Sequence, residues 1–313
     1  MESTSTRTGT HLKILITGAQ GQVGYELGGV CRHLGEVFLC DRDRLDLTNP
    51  QAIRELVADL KPNLIINSAA YTAVDRAETE PELAIAVNHT APQVLAEAAA
   101  AQGASLIHYS TDYVFDGKLE RPYRETDVPN PLSVYGRTKL AGEQAIAAVG
   151  LPHLILRTSW VYGTRGKNFM LTMLKLARQK PELKIVADQI GAPTWSRTIA
   201  RATGEIITRL ATAPPQDLSA AIAPHQGIYH LTSQGFTSWY GFAQAIFAAD
   251  PQAAEQILER VSPITTAEYP TPAQRPLNSR LDLRKICYTF NLRLPDWQPT
   301  LAQVLQEYNQ GQV

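Results

Sequence analysis

The stretch Leu12–Gly24, LKILITGAQGQVG, constrains this chain more than any other. Leu12 to Ile16 is a short, mostly apolar run, as expected of a strand buried in a parallel sheet. Gly18, Gly21 and Gly24 follow at the spacing G-x-x-G-x-x-G, and Val23 to Val30 opens a helix. Glycines there permit a tight turn and close approach of backbone to a pyrophosphate seated on the helix N-terminus. The spacing is a variant of the G-x-G-x-x-G dinucleotide fingerprint, and an ordinary glycine-rich turn is the plain alternative. Glu36 to Cys40 then reads as a second strand ending at Asp41. An acidic residue about 20 positions past the glycines is where an adenosine-ribose contact is expected. Strand, turn, helix, strand and acid together predict a nucleotide site.

The same rhythm continues. Strands are expected over Leu64 to Ala70, running into a small-residue loop, at Ser105 to Ser110, at Leu154 to Arg157 and at Gly227 to Leu231. Helices are expected through Ala58, with Thr48 or Asn49 as cap, and over Pro92 to Ala101. This predicts an α/β fold, a doubly wound Rossmann-type parallel sheet with a smaller C-terminal substrate-binding domain. Residues 1–11 read as a disordered lead-in, and 12–165 as the dinucleotide-binding domain, joined by 225–250. Residues 166–313 form mainly the smaller domain, with interleaved boundaries; within it Thr198 to Leu210 looks helical and Ala213 to Pro224 is a low-order connection.

Tyr135 and Lys139 are four residues apart, so they share one helix face. A free phenol has a pKa of about 10; an ammonium beside it favours the phenolate and makes it a usable acid–base group. Thr111, delivered by the strand before it, would hold a carbonyl oxygen beside that Tyr. A Tyr-x-x-x-Lys pair alone is commonly a solvated helix face; its weight comes from the glycine turn. Thr111, Tyr135 and Trp160 all follow strand ends, where open α/β sheets bind ligands.

Composition narrows the remaining classes. Lys+Arg 29 against Asp+Glu 30 gives a formal charge of -1, which supports neither a nucleic-acid nor a membrane-surface partner. No apolar run reaches the 18 or so residues of a membrane span. Cys31, Cys40 and Cys287 form neither a metal spacing nor an even-numbered framework, so no metal site is assigned and a reducing cytoplasm is expected.

Seven stretches carry a family resemblance: GAQGQVG (18–24), NSAAYTAVDRAE (67–78), HYSTDYVFDG (108–117), YGRTKLAGE (135–143), RTSWVYG (157–163), DQIGAPT (188–194) and YPTPAQRPLNS (269–279). On them the chain resembles the extended short-chain dehydrogenase/reductase superfamily and, within it, the dTDP-4-dehydrorhamnose reductase family, from Leu12 to about Trp297. The glycine turn and Tyr-x-x-x-Lys belong to the whole superfamily; TDYVF, RTSWVYG and PTPAQRP are more restrictive. The resemblance implies NADPH- or NADH-dependent reduction of the C4 ketone of a dTDP-sugar, dTDP-4-dehydro-6-deoxy-L-mannose, to dTDP-L-rhamnose. It implies Thr111, Tyr135 and Lys139 as catalytic residues. For the cofactor it implies Gly18, Gly21, Gln22, Val23 and Gly24 at the pyrophosphate, and Asp41, Arg42, Asp46 and Leu47 at the adenosine end. Ala69, Ala70 and Tyr71 would flank the nicotinamide, with Tyr135 and Lys139. Substrate contacts would come from Thr72, Val74, Thr111, Asp112, Tyr135, Trp160 and Arg275, the last as a clamp on the diphosphate, for which a surface ion pair is the plain alternative. His108, inside a strand, is expected to be a satisfied core histidine.

Asp41 would favour NADH by bonding a ribose 2′-hydroxyl, whereas Arg42 and Arg44 would favour NADPH, so dual use is expected. Some family members are described as magnesium-linked dimers held by glutamates. Glu26 suits that role, but Arg197 stands where a second carboxylate would be sought, which argues against Mg2+ and leaves a homodimer open. The rival readings are an epimerase or dehydratase of the same superfamily, or a non-catalytic module like the regulatory subunit of methionine adenosyltransferase. Asp112 is followed by Tyr113, not by the second carboxylate an elimination would want.

Overall fold

The computed structural model describes residues 12–211 and 218–311; the lead-in predicted over residues 1–11 lies outside them. Strands β1 (Leu12–Thr17), β2 (Gly35–Cys40), β3 (Leu64–Asn67), β4 (Ser105–Thr111) and β5 (His153–Thr158), with a sixth at Gly227–His230, form one sheet. Its order is Gly227–His230, β5, β4, β3, β1, β2, and each pairing is parallel. The chain leaves β1 for β2 on one side and returns to β3 on the other. The crevice beyond the carboxyl ends of β1 and β3 is therefore the topological switch point, where such sheets bind ligands.

Each apolar run is split between two faces by the two-residue period of a strand. Ile14, Ile16, Leu64, Ile66, Ile107, Leu154 and Leu156 face one helical layer. Leu15, Ile65, Leu106 and Ile155 face the other. The first layer holds helix α1 (Gln22–Cys31) through Leu27 and Cys31, and the helix Ser196–Ala211 through Ile199, Ile206 and Ile207. The second holds α2 (Pro50–Leu60) through Ile53 and Val57, and the helix Ala91–Ala101 through Val94 and Leu95. Asn49 caps α2, its side chain accepting from the backbone of Gln51 and Ala52 at 3.1 and 3.2 Å.

A separate cluster of Tyr162, Met170, Met173, Leu174, Leu183, Ile185, Trp195, Phe242, Ile246, Trp297, Leu301 and Val304 makes the second core. Its membership corrects the predicted division in two places. The helix Ser196–Ala211, assigned to the smaller domain, packs on α1 and the main sheet, because its apolar stripe faces that layer. Residues 225–250 divide: Gly227–His230 pairs with β5, while the helix Trp239–Ala248 puts Phe242 and Ile246 in the second core. The connection predicted over Ala213 to Pro224 holds a helix, Leu218–Ile222, whose two terminal apolar residues are buried against the sheet layer; residues 212–217 are outside the described ones. A helix at Trp297–Gln310 and a strand at Arg260–Ile264, parallel to Glu182–Val186, complete the second unit. Among the described residues no helix is long and apolar enough to cross a membrane.

Candidate active site

The glycine turn is fixed by contact. Gly18 has φ +69, and a Cβ there would lie 2.8 Å from the backbone of Ala69, the loop after β3. At Gly24 a Cβ would lie 2.1 Å from the carbonyl oxygen of Gly18. Turn, helix and the β3 loop therefore close on one another only with glycine at both positions. No side chain caps α1, so its first-turn N–H groups face the crevice.

Beside this turn lies a cavity of about 300 Å³ whose lining includes Thr17, Gly18, Asp41, Arg42, Asp46, Leu47, Ala69, Ala70 and Tyr71. Eight predicted cofactor residues are thereby brought together. Its glycine floor and alternating acid and guanidinium suit a dinucleotide. Gln22 takes a different course: its Oε1 accepts from Asn168 Nδ2 at 2.9 Å. Asp41 accepts from Gln20 Nε2 at 2.7 Å and from the backbone of Asp43 and Arg44, and the Arg44 bond leads in holding its carboxyl below the usual range. The Arg44 guanidinium donates back to the Leu39 carbonyl at 3.0 Å, which leaves Arg42 as the cavity's cation at the adenosine end. Tyr71 is stapled by Asn88, whose amide accepts from its N–H at 2.8 Å and donates to its carbonyl at 3.1 Å. Asn88 is buried in a π-helical turn, Ala86–Thr90, and also reaches Thr138 on the Tyr135 helix. Sequence reading passed over it; the available signal was an Asn inside an otherwise apolar helical pattern.

Ser133 caps the helix Val134–Val149, accepting from Gly136 N at 3.1 Å, and so sets the direction in which Tyr135 leaves it. Tyr135 packs with Tyr71 and Val74 and meets Tyr113 edge-on, ring centroids 5.4 Å apart. Burial pushes its phenol up to about 12, against its hydrogen bond with Thr111, and the neighbouring Asp112 carboxylate adds to the rise. Burial likewise lifts Asp112 to about 6. Any lowering of the Tyr135 phenol by the Lys139 ammonium does not outweigh that burial. Lys139 is buried on the same helix, but its Nζ donates to the Tyr109 carbonyl at 2.6 Å and meets His108 Nε2 at 3.1 Å. Desolvation lowers it to about 8, opposed by Glu143 one turn on, which is itself paired with Arg157 in the core. At neutral pH Tyr135 is a protonated phenol and Lys139 the nearby cation.

Of the substrate candidates, Arg275 lines a second cavity, of about 380 Å³, together with Phe169, Met173, Lys184, Gln189 and Trp239 among others, while Thr72, Val74, Thr111, Asp112, Tyr135 and Trp160 are not in its lining. Trp160, with φ +48, stacks face to face on Trp239 at 3.6 Å, so its ring braces that wall. Trp239 itself carried no assignment from sequence. Arg275 pairs with both oxygens of Asp75, at 3.1 and 2.8 Å, and also reaches Thr271 and the Ala273 carbonyl. Its guanidinium thus stands at the cavity but already holds an anion. Thr72 is exposed, and Val74 begins the short helix Val74–Ala77 that carries Asp75. Tyr71 lines the first cavity and Tyr113 feels the charge of Arg275 at the second, so Tyr135, touching both tyrosines, stands between the two.

The proposed metal position does not fit a metal. Arg197 donates to Glu26 at 2.8 Å and to Glu307 at 2.6 Å, so a guanidinium already bridges the two carboxylates. Among the described residues no cluster of three His, Cys, Asp or Glu side chains is placed to hold an ion.

The chain is similar to known proteins in sequence and in fold. The family profile described as the RmlD substrate binding domain matches residues 12–310. A dTDP-4-dehydrorhamnose reductase of Burkholderia thailandensis is 49% identical over 290 residues, covering 92% of this chain and 96% of that protein. The crystal structure of a dTDP-4-dehydrorhamnose reductase from Clostridium acetobutylicum superposes with a TM-score of 0.86 at 38% identity, over 95% of this chain and 100% of that one. One from Bacillus anthracis, in complex with NADP, superposes at 0.83 with 33% identity, over 95% and 99%. The chain therefore belongs to the RmlD substrate binding domain family, among the dTDP-4-dehydrorhamnose reductases.

Proposed function

We propose that this protein reduces the C4 ketone of dTDP-4-dehydro-6-deoxy-L-mannose to dTDP-L-rhamnose, with NADPH or NADH. The observation that carries the reading is the buried Thr111–Tyr135 pair, whose neighbours reach both cavities: Tyr71, in the same cluster, lines the glycine-floored one, and Tyr113, edge-on to Tyr135, stands beside Arg275 of the aromatic-walled one. The reduced nicotinamide, when bound, supplies the hydride. The chain's own residues then deal with the charge left on the carbonyl oxygen.

Tyr135 holds the proton that neutralises that oxygen. A phenol raised to about 12 is fully protonated at neutral pH, and an alkoxide is a stronger base than phenolate, so the transfer runs downhill. Thr111 orients the phenol, and burial keeps water from competing for the developing charge. Lys139, as the buried cation on the same helix, offsets the phenolate left behind. In the first cavity Gly18 and the α1 N-terminus would hold the pyrophosphate, with Asp41, Arg42, Asp46 and Leu47 around the adenosine. Arg42 would face a 2′-phosphate if NADPH is the partner, and Ala69, Ala70 and Tyr71 would border the nicotinamide. The diphosphate of the sugar nucleotide would compete with Asp75 for Arg275. The lobe built on the second core would then cover the substrate.

The test is loss of 340 nm absorbance with the purified protein, either reduced cofactor and freshly generated dTDP-4-dehydro-L-rhamnose. Cofactor oxidation that requires the sugar and yields dTDP-L-rhamnose supports the reading and ranks the cofactors. Dinucleotide binding without oxidation would overturn it in favour of a regulatory module or another sugar nucleotide.

A further inference from the structure

The reaction above leaves His108 without a task, yet it is the centre of a buried polar row. Sheet register builds that row: Thr17 of β1 pairs with Asn67 of β3, and Asn67 with His108 of β4. All three side chains therefore stand in one row across adjacent strands, at the ends of β1 and β3 and the middle of β4, each no more than 1% exposed. The Thr17 hydroxyl donates to Asn67 Oδ1 at 2.7 Å, Asn67 Nδ2 lies 3.0 Å from His108 Nδ1, and His108 Nε2 meets Lys139 Nζ at 3.1 Å.

Counting protons fixes what such a row can do. Burial and the adjacent lysine keep His108 well below its usual pKa, so the ring is neutral and has one N–H for two neighbours. An ammonium has three donors and no acceptor. With Lys139 charged, His108 must offer it the Nε2 lone pair, carry its own proton on Nδ1 and point that proton at the Asn67 amide oxygen. This requires the Asn67 amide to be rotated by a half-turn from the orientation in which Nδ2 faces His108, its oxygen to His108 and its NH2 to the Thr17 hydroxyl, an exchange that leaves the heavy-atom positions unchanged. The Tyr109 carbonyl accepts a second Lys139 proton. Both acceptors can also take a hydrogen bond from an amine, though they hold the ammonium more strongly.

We propose that His108 is a positioning residue for the reduction. Together with the Tyr109 carbonyl it occupies two of the three hydrogen-bonding positions of Lys139 Nζ in both charge states. The third position, a proton in the ammonium and a lone pair in the amine, is thereby reserved for the active site. This rests on the reductase reading. At that third position Lys139 can exchange a proton with the site, passing from ammonium to amine and back, while its bonds to the two acceptors are kept. His108 neither gains nor loses one. Asn67 and Thr17 act by holding its tautomer. The charged and titratable groups around the pair are Glu143 on the same helix, held by Arg157 of β5; Tyr135 a turn earlier; and Asp112 beyond β4, which acts on Tyr135. From β1 and β3 the row receives only Thr17 and Asn67.

Nitrogen-15 NMR on the wild-type protein without cofactor reads the tautomer directly, with His108→Gln used to assign the resonance. Below the titration of Lys139 the expected form is Nδ1–H; an Nε2–H tautomer there overturns the proposal. This readout needs no turnover, so it separates failure of this proposal from failure of the reductase assignment. In the pH profile of kcat/KM, His108→Phe removes an acceptor from the ammonium and should move the basic limb down by about one pH unit. His108→Gln, whose amide oxygen replaces the acceptor, should restore the limb. A limb that stays in place in His108→Phe would show that the histidine only fills space.

Discussion

Arg197 grips Glu26 through two nitrogens, at 2.8 and 3.3 Å, and so fastens the first turns of two neighbouring helices. Its third nitrogen reaches Glu307 of the helix Trp297–Gln310, tying in the second core. Two carboxylates held by one guanidinium need no divalent ion. The expected result is that EDTA and Mg2+ leave the wild-type melting temperature unchanged. Arg197→Glu would bring three carboxylates together, lower the melting temperature by a few degrees, and make it rise again with Mg2+. A wild-type protein that loses stability in EDTA would contradict this account of the cluster.

Tyr135→Phe removes the proton donor but keeps the ring that packs on Tyr71 and Tyr113. A positioned general acid contributes roughly 10²- to 10⁴-fold, so kcat should fall by at least about a hundredfold. Dinucleotide affinity, measured by fluorescence or calorimetry, should stay within a few-fold. Near-normal turnover would remove Tyr135 from its assigned role.

The succession of strands and helices was legible in the sequence, and so was the grouping of the residues proposed for the cofactor, because each depends on local pattern: apolar runs, glycine spacing, an acid at a strand end. Eight predicted cofactor residues line one cavity for that reason. The substrate side was harder to read, since it is assembled from pairs far apart in the chain. Asp75 meets Arg275 across 200 positions, and the partner of Trp160 is Trp239. Lys139 shows the same limit on one helix. Its i, i+4 spacing from Tyr135 is correct, yet the direction of its ammonium is set by His108 and the Tyr109 carbonyl on another strand. The helix Ser196–Ala211 was assigned to the wrong core because an amphipathic pattern states that a face is buried, not against what.

Arg275 can bind a substrate diphosphate only by loosening its hold on Asp75. Asp75→Asn should therefore lower KM for the sugar nucleotide by several-fold, since the guanidinium is freed while its geometry survives. Arg275→Ala should raise KM by about tenfold or more, with dinucleotide binding unaffected, because a bidentate charged contact is lost. Equal KM values for wild type and both variants would mean that the pair is purely structural.

Lys139 also leaves a signature in stability. Its usual value near 10.5 falls to about 8 in the folded protein. Below pH 8 both states carry the charge, and the native state bears the full cost of burying it. Between about pH 8 and 10.5 the unfolded chain binds the extra proton, so stability rises with pH. The gain for this one group amounts to about 3 kcal/mol over that window. Other groups titrate there too, so the comparison is with Lys139→Met, in which this contribution is absent. Denaturant unfolding of both proteins from pH 7 to 10.5 should show the wild type gaining on the variant as pH rises. A constant difference across that range would mean that Lys139 keeps an ordinary pKa in the folded protein, and that its buried bonds to His108 and Tyr109 hold an ammonium throughout.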